Sequence, residues 1–144
     1  MVLAVCTPMC QRRRWLPQGH LATPPLGIGC SPKDALETRR RQTAALPALA
    51  GKLSAHALRV PTTKVSAIEL TVATERACDI GSVNASLREA AEGSLSGVLD
   101  YSLEPLASCD FAGEAASAIV DAQQTQVAAG RLAKILIWFD NEWA

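Results

Sequence analysis

The sequence predicts an α+β fold in which one helix packs on one face of a mostly antiparallel sheet. From about residue 57 onward, short apolar segments with a two-residue period alternate with turn residues, which is typical of strands. Within that region only the segment after Asp79 spaces its apolar residues three and four apart, as an amphipathic helix does. The connections between these segments are short, which favours adjacent antiparallel strands with a helix packed on them.

The N-terminal segment, residues 1–30, shows neither a helical nor a strand period. Four prolines and three glycines interrupt it, so we expect it to be disordered or poorly packed. Ser31 and Pro32 then supply the N-cap and first-turn residue types of a helix start. A helix over residues 33–45 is therefore predicted, and the structured part of the chain is expected to span residues 31–144.

The strands predicted after this helix are recognised by alternation or by unbroken apolar runs. They cover residues 57–60, 65–74, 98–102, 118–121, 125–128 and 132–138. The segment 65–74 alternates most clearly, which predicts a half-buried strand. The segments 118–121 and 125–128 are expected to pair with each other across a polar link, and 132–138 has the composition of a central strand covered on both faces.

The single helix in this region is predicted to begin after Asp79, which can act as its N-cap, and to end at Glu92. Gly93 stands just past its end, where glycine is favoured. One apolar stripe is predicted to face the sheet. It consists of Ile80, Val83, Leu87 and Ala91.

Charge is distributed unevenly along a chain whose formal net charge is zero. Residues 1–41 contain seven Lys and Arg against Asp34 and Glu37, and the remainder is correspondingly acidic. A basic arm can indicate nucleic-acid binding, but here the arginines form two triplets with only Trp15 beside them as a stacking aromatic. The composition therefore argues against a nucleic-acid partner.

Membrane and metal functions are also disfavoured by the residue pattern. No apolar stretch approaches the eighteen or more residues that a membrane span requires. The five cysteines have irregular spacing, which argues against a disulfide framework and favours a reducing cytoplasm. Cys6, Cys10, His20 and Cys30 could be considered as zinc ligands, but their spacing is not that of a structural zinc site, so no metal is expected.

Seven short motifs occur in a fixed order between residue 46 and residue 143. They are Leu46-Pro-Ala-Leu-Ala-Gly-Lys-Leu53, Leu58-Arg-Val-Pro-Thr62, Val65-Ser-Ala-Ile-Glu-Leu-Thr-Val72, Ala90-Ala-Glu-Gly93, Ser108-x-Asp110-Phe111, Ser117-Ala-Ile-Val-Asp121 and Trp138-Phe-Asp-Asn-Glu-Trp143. In this order they resemble the C-terminal catalytic domain of the glyceraldehyde-3-phosphate dehydrogenase family. Two further stretches, 98–106 and 120–127, resemble the erythrose-4-phosphate dehydrogenase branch of that family.

The resemblance implies an NAD-dependent oxidation of an aldose phosphate, erythrose 4-phosphate or glyceraldehyde 3-phosphate, through a cysteine thioester. It implies that Arg59 binds the substrate phosphate, a role that suits a planar guanidinium. It implies that Asn141 holds the nicotinamide carboxamide through its side-chain amide. Without the resemblance, Arg59 would be interpreted as a surface ion-pair residue and Asn141 as a turn residue.

The residues that would complete such an enzyme are not found in the first 45 positions. A Rossmann domain with a G-x-G-x-x-G turn is not recognisable, because Gly27-Ile-Gly29 is followed by Cys30 and Ser31-Pro32. Cys6 is the one candidate for the nucleophile. It lies in a Cys-Thr-x-x-Cys pattern that resembles the family's motif at the start of the catalytic helix, whereas nothing around His20 supports it as the base.

The sequence is therefore interpreted as part of a dehydrogenase that is inactive alone. Its partners by resemblance are a sugar phosphate and NAD, although we expect the chain itself to bind NAD poorly. The alternative is a non-catalytic fragment that forms a homo-oligomer or associates with full-length family subunits, because an incomplete domain is expected to expose apolar surface. The sequence leaves the identity of the aldose phosphate open.

Overall fold

The structure is a computed structural model, and it describes residues 2–7, 29–30, 40, 44, 46–59, 65–140 and 142–143. Its elements are named here in chain order. They are β1 (Val2–Thr7), β2 (Gly29–Cys30), β3 (Leu53–Arg59), β4 (Ser66–Ala73), α1 (Ile80–Glu92), β5 (Leu99–Ser102), β6 (Ala118–Ala128) and β7 (Leu132–Phe139), with 3₁₀ turns at Pro47–Leu49 and Ser108–Phe111.

The strands form one mixed sheet in the order β2-β3-β1-β4-β7-β6-β5. Four of the six pairings are antiparallel, and only β1 with β3 and β5 with β6 run parallel. The helix α1 packs on β5 and β6 at one side of this sheet. The predicted α+β class, with a mostly antiparallel sheet and a helix on one face, is therefore confirmed.

The helix α1 has the bounds that the sequence predicted, and a reciprocal cap fixes its start. Asp79 Oδ1 accepts a 2.9 Å hydrogen bond from the Ser82 amide, and Ser82 Oγ accepts one of 3.0 Å from the Asp79 amide. Asn84 Nδ2 donates a 3.1 Å bond to the carbonyl of Ala122 in β6. The predicted stripe is narrower than expected, because Ile80 is exposed whereas Val83 and Leu87 are half-buried.

The best-packed region of the described residues lies over one end of β6 and β7. Val65, Phe111 and Ile119 are buried together, and Trp138 packs against them. Phe111 comes from the 3₁₀ turn after β5, so this turn closes the core at that end of the sheet. Val65 has φ 70, a conformation that a β-branched residue adopts only under strain.

The hairpin predicted within residues 118–128 is wrong, because these residues form the single strand β6. Both halves of β6 pair with β7, Ile119 with Trp138 and Val127 with Ala133, and a register shift between Asp121 and Gln126 absorbs the polar link. The chain reverses instead at Ala129 and Gly130, both of which have positive φ. The residues between the two predicted strands lack glycine and asparagine, so no tight turn forms there.

The N-terminal part of the chain differs from the sequence expectation in both of its described segments, residues 2–7 and 29–30, which are strands. Residues 2–7 form β1, which pairs in parallel with β3 and antiparallel with β4. Apart from Gly29–Cys30, the rest of the segment 1–30 lies outside the described residues. So does most of the helix predicted over 33–45, of which the structure describes Arg40 and Ala44 as helical. Within the described ranges, no helix is long and apolar enough to cross a bilayer.

Candidate functional site

Four neighbouring strands meet at one edge of the sheet. Since β1 and β3 are parallel, both reach this edge with their C-terminal ends. Since β4 is antiparallel to β1, it begins there, and β7, antiparallel to β4, ends there. The register makes this explicit, with Thr7 opposite Ala67 and Ser66 opposite Phe139. Residues far apart in the sequence are thereby collected at a single edge.

Arg59 is the last residue of β3 and therefore stands at this edge. It is paired with Gly29 of β2 on one side. Ala57, two residues earlier in β3, is the register partner of Cys6 in β1. Neighbouring strands lie about 5 Å apart, so the backbones of Cys6 and Arg59 are separated by one strand spacing and a two-residue offset.

Cys6 lies in a strand, not at the start of a helix as its motif implied. β1 runs through Thr7 and has a partner on both of its edges, which makes a helical conformation at residue 6 impossible. The backbone N–H groups of a helix N-terminus, which lower the pKa of a thiol in many enzymes, are consequently not supplied by residues 6 and 7. Cys10 and His20 lie outside the described residues.

Asn141 also lies outside the described residues, but both of its neighbours are described. Asp140 follows β7 directly and is only 3 % exposed. Its Oδ1 accepts a 3.0 Å hydrogen bond from the amide of Glu142, and its carbonyl accepts one of 3.2 Å from the amide of Trp143. Asp140 thus caps the turn to which Glu142 and Trp143 belong. This turn is about 15 Å, three strand spacings, from the end of β3.

The loop after the 3₁₀ turn Ser108–Phe111 is hydrogen-bonded to the same aspartate, Asp140. The amide of Gly113 donates a 2.9 Å hydrogen bond to Asp140 Oδ2. Sequence reasoning did not single out Asp140. An aspartate directly after an apolar strand and before an asparagine is a turn-capping signal that could have revealed it.

Trp138, two residues before Asp140, packs against the buried core cluster. Its ring stacks on Phe111, and its Nε1 donates a 3.4 Å hydrogen bond to Oδ2 of the buried Asp121. Trp138 is therefore a packing residue, whereas Trp143 is mainly exposed. Among the residues that the structure describes, no three His, Cys, Asp or Glu side chains are grouped in the manner of a metal site.

A family model described as glyceraldehyde 3-phosphate dehydrogenase, C-terminal domain, matches residues 37–141. The match takes in about three quarters of the 144 residues, including all elements from β3 to β7. It contains Arg59 and ends at Asn141. Cys6 and the strand β1 precede the matched residues.

Proposed function

Because the chain belongs to the glyceraldehyde-3-phosphate dehydrogenase family through its C-terminal domain, we propose that it forms the substrate side of an NAD-dependent aldose-phosphate dehydrogenase. One observation carries this proposal: β3, which ends in Arg59, and β7, which leads into Asn141, terminate at the same edge of the sheet. Arg59 would bind the phosphate of the substrate, and Asn141 would bind the carboxamide of the nicotinamide.

The two residue types suit these roles on chemical grounds. A guanidinium is always charged near neutral pH and presents paired N–H donors that match two phosphate oxygens. A side-chain amide has one donor group and one acceptor, as a carboxamide has, so the two can pair in a single orientation. Fixing that orientation would decide which face of the nicotinamide ring meets the substrate.

The proposed reaction is the oxidation of an aldehyde through a thioester. A cysteine thiolate attacks the aldehyde carbon, the carbon loses its hydrogen as hydride, and phosphate or water then displaces the thiol from the thioester. NAD, when bound, supplies the acceptor for the hydride. Cys6 lies in β1, the strand next to β3, close to the end at which Arg59 stands, and is the candidate for the attacking group.

The residues present fit only the nicotinamide end of NAD. Binding of the pyrophosphate by a glycine-rich turn needs a strand, a G-x-G-x-x-G sequence and a helix in succession. Gly27-Ile-Gly29 is instead followed by β2 residue Cys30 and then by Ser31-Pro32. We therefore propose that this 144-residue chain does not turn over substrate on its own.

Within the family, we propose erythrose 4-phosphate as the substrate. Support comes from Val98-Leu-Asp-Tyr-Ser-Leu-Glu-Pro-Leu106 and Val120-Asp-Ala-Gln-Gln-Thr-Gln-Val127, which resemble the erythrose-4-phosphate dehydrogenase branch. A cytoplasmic location is proposed with it, because five cysteines at irregular spacing suit a reducing compartment.

The test is a titration of the ¹⁵N-labelled chain with inorganic phosphate, erythrose 4-phosphate and glyceraldehyde 3-phosphate, followed by NMR. Arg59→Ala is expected to weaken sugar-phosphate binding about tenfold or more, and Arg59→Lys to weaken it less. Arg88→Ala is the matched control, because Arg88 is an exposed arginine that lies over Tyr101, 5.0 Å from its ring centroid. Equal losses in the Ala variants at 59 and 88 would overturn the phosphate role of Arg59.

A second candidate function is non-catalytic: the chain associates with full-length family subunits. The observation that favours it is a group of exposed apolar side chains beside the edge strand β5, where Val98 is 52 % and Leu103 57 % exposed. Mixing the labelled chain with a full-length homologue and separating the mixture by size tests this. Co-elution with the homologue favours association, and clean separation removes it.

A further inference from the structure

We propose that Asp140 is a positioning residue that holds the backbone on either side of Asn141 and ties it to the loop at Gly113. The cofactor-binding role of Asn141 rests on the proposed function, whereas the hydrogen bonds of Asp140 are independent of it. The Asp140 carboxylate thereby fixes Asp140 and Glu142, the two residues that flank position 141.

The two carboxylate oxygens of Asp140 have different partners. Oδ1 accepts from the amide of Glu142 at 3.0 Å, within the turn that contains position 141. Oδ2 accepts from the amide of Gly113 at 2.9 Å, 27 residues away in the sequence. Hydrogen bonds from backbone N–H groups to an ionised carboxylate are among the stronger ones in proteins. One side chain therefore links a local turn to a distant loop.

A carboxylate is the side chain that can make both bonds. Ionised aspartate offers acceptors on both oxygens and no donor. An asparagine in the same place would present one oxygen and one NH₂ group, and the NH₂ group would meet a backbone N–H. Because Asp140 is almost fully buried, water cannot replace a bond that is lost. The pair of bonds thus requires aspartate.

The loop that carries Gly113 is attached to the end of β7 at a second point. Phe111, two residues earlier, stacks on Trp138, two residues before Asp140. Gly113 has φ +85, a backbone conformation that a residue with a side chain adopts only at a cost. An added Cβ would meet nothing within 4 Å, so the constraint at Gly113 is its backbone conformation and not the available space.

Asp140 and Glu142, on either side of position 141, are consequently held in place before any ligand arrives. A side chain that must bind one orientation of a small group loses affinity if its backbone has to be fixed during binding. Asp140 lowers that cost by holding the residues on both sides of position 141. Its hydrogen bond with the Gly113 amide also fixes their position relative to the loop that carries Gly113.

Backbone hydrogen exchange of the intact chain, read by NMR, tests the proposal with no ligand present. Asp140→Ala is expected to speed exchange at Gly113 and Glu142 about tenfold or more, while the central amides of β4 and β7 keep their protection. Asp140→Asn is expected to keep Glu142 protected, since asparagine also caps such turns, and to release Gly113. The side-chain amide signals of Asn141 should change position in both variants, by more in the alanine variant.

Asp79→Asn is the matched control, because it removes the same charge from another carboxylate that caps a backbone amide. It should leave Gly113, Glu142 and Asn141 unchanged. Unchanged exchange at Gly113 and Glu142 in Asp140→Ala would overturn the proposal. So would a uniform loss of protection across β4 and β7 in Asp140→Asn, which would mean that the residue only stabilises the fold. If the chain binds no sugar phosphate, the proposed function is refuted, but the hydrogen-exchange result still tests the role of Asp140.

Discussion

The ring of Phe111 stacks on the indole of Trp138, with centroids 5.4 Å apart and planes inclined by 14°. Phe111 belongs to the turn after β5, and Trp138 to the end of β7. The contact therefore joins a connecting segment to the strand that leads into Asn141. Because Phe111 is only 2 % exposed, the pair contributes both apolar burial and stacking to the core.

Replacement of Phe111 by alanine is expected to lower the free energy of unfolding by about 3–5 kcal/mol, the usual cost of removing a buried aromatic ring. Phe111→Leu keeps much of the volume and should cost less than half as much. Urea denaturation monitored by tryptophan fluorescence measures both. A loss below about 1 kcal/mol for the alanine variant would show that the turn does not close the core.

Val65 offers a test of backbone strain inside the core. It is buried and has φ 70, a region that glycine adopts freely and other residues adopt at a cost of about 1–2 kcal/mol. Val65→Ala and Val65→Gly both remove the side chain from the core. In regular structure glycine is less stable than alanine by about 1 kcal/mol. Here we expect the glycine variant to be at least as stable as the alanine variant.

The same urea experiment decides between these outcomes. If the glycine variant unfolds at a clearly lower urea concentration than the alanine variant, residue 65 relaxes to negative φ when its side chain is shortened. Ala73→Gly, at the other end of β4 and in ordinary strand conformation, is the control. It should show the usual loss of stability on introducing glycine.

Local sequence patterns predicted those elements whose partners or caps are close in the chain. The bounds of α1 followed from Asp79 and Gly93, and the position of β4 from its alternation. β1 was not predicted, because a six-residue apolar segment becomes a strand only when β3 and β4, more than 45 residues away, pair with it. The continuity of β6 was missed for the same reason, since β7 supplies the pairing for both of its halves.

The sequence indicated which residues belong to the candidate site, but not how they are arranged in space. The resemblance identified Arg59 and Asn141 as candidates, but only the strand order brings the ends of β3 and β7 to one edge. Asp140 escaped notice because its importance comes from Gly113, a partner in a distant loop. The short motif around Cys6 resembles one that starts a helix in the family, whereas long-range strand pairing places Cys6 in β1.

The chain is predicted to be catalytically inactive by itself. With NAD and erythrose 4-phosphate in millimolar excess, NADH formation followed by absorbance should not exceed that of a protein-free control. The physical reason is that the chain contains no recognisable glycine-rich turn to bind the pyrophosphate of NAD. A full-length family enzyme under the same conditions is the positive control. Turnover that Cys6→Ser abolishes would contradict this prediction and make Cys6 the nucleophile.

Self-association is expected at the β5 side of the sheet. β5 is the last strand in the sheet order, so one of its edges has no strand partner among the described residues, and Val98 and Leu103 beside it are largely exposed. An unpaired edge flanked by apolar side chains is a template for pairing with a second copy. Sedimentation of the native chain should therefore show a mass that rises with concentration, and Leu103→Lys should shift it toward the monomer.

Leu46→Lys is the matched control for this experiment. Leu46 is as exposed as Leu103 but precedes β3, and β1, β4, β7 and β6 lie between β3 and β5 in the sheet. The added charge is the same in both variants, so a general effect of charge on solubility would move both equally. An effect confined to Leu103→Lys places the contact at β5. A sharp thermal transition of a monomer, independent of concentration, would show instead that this exposed apolar surface needs no partner.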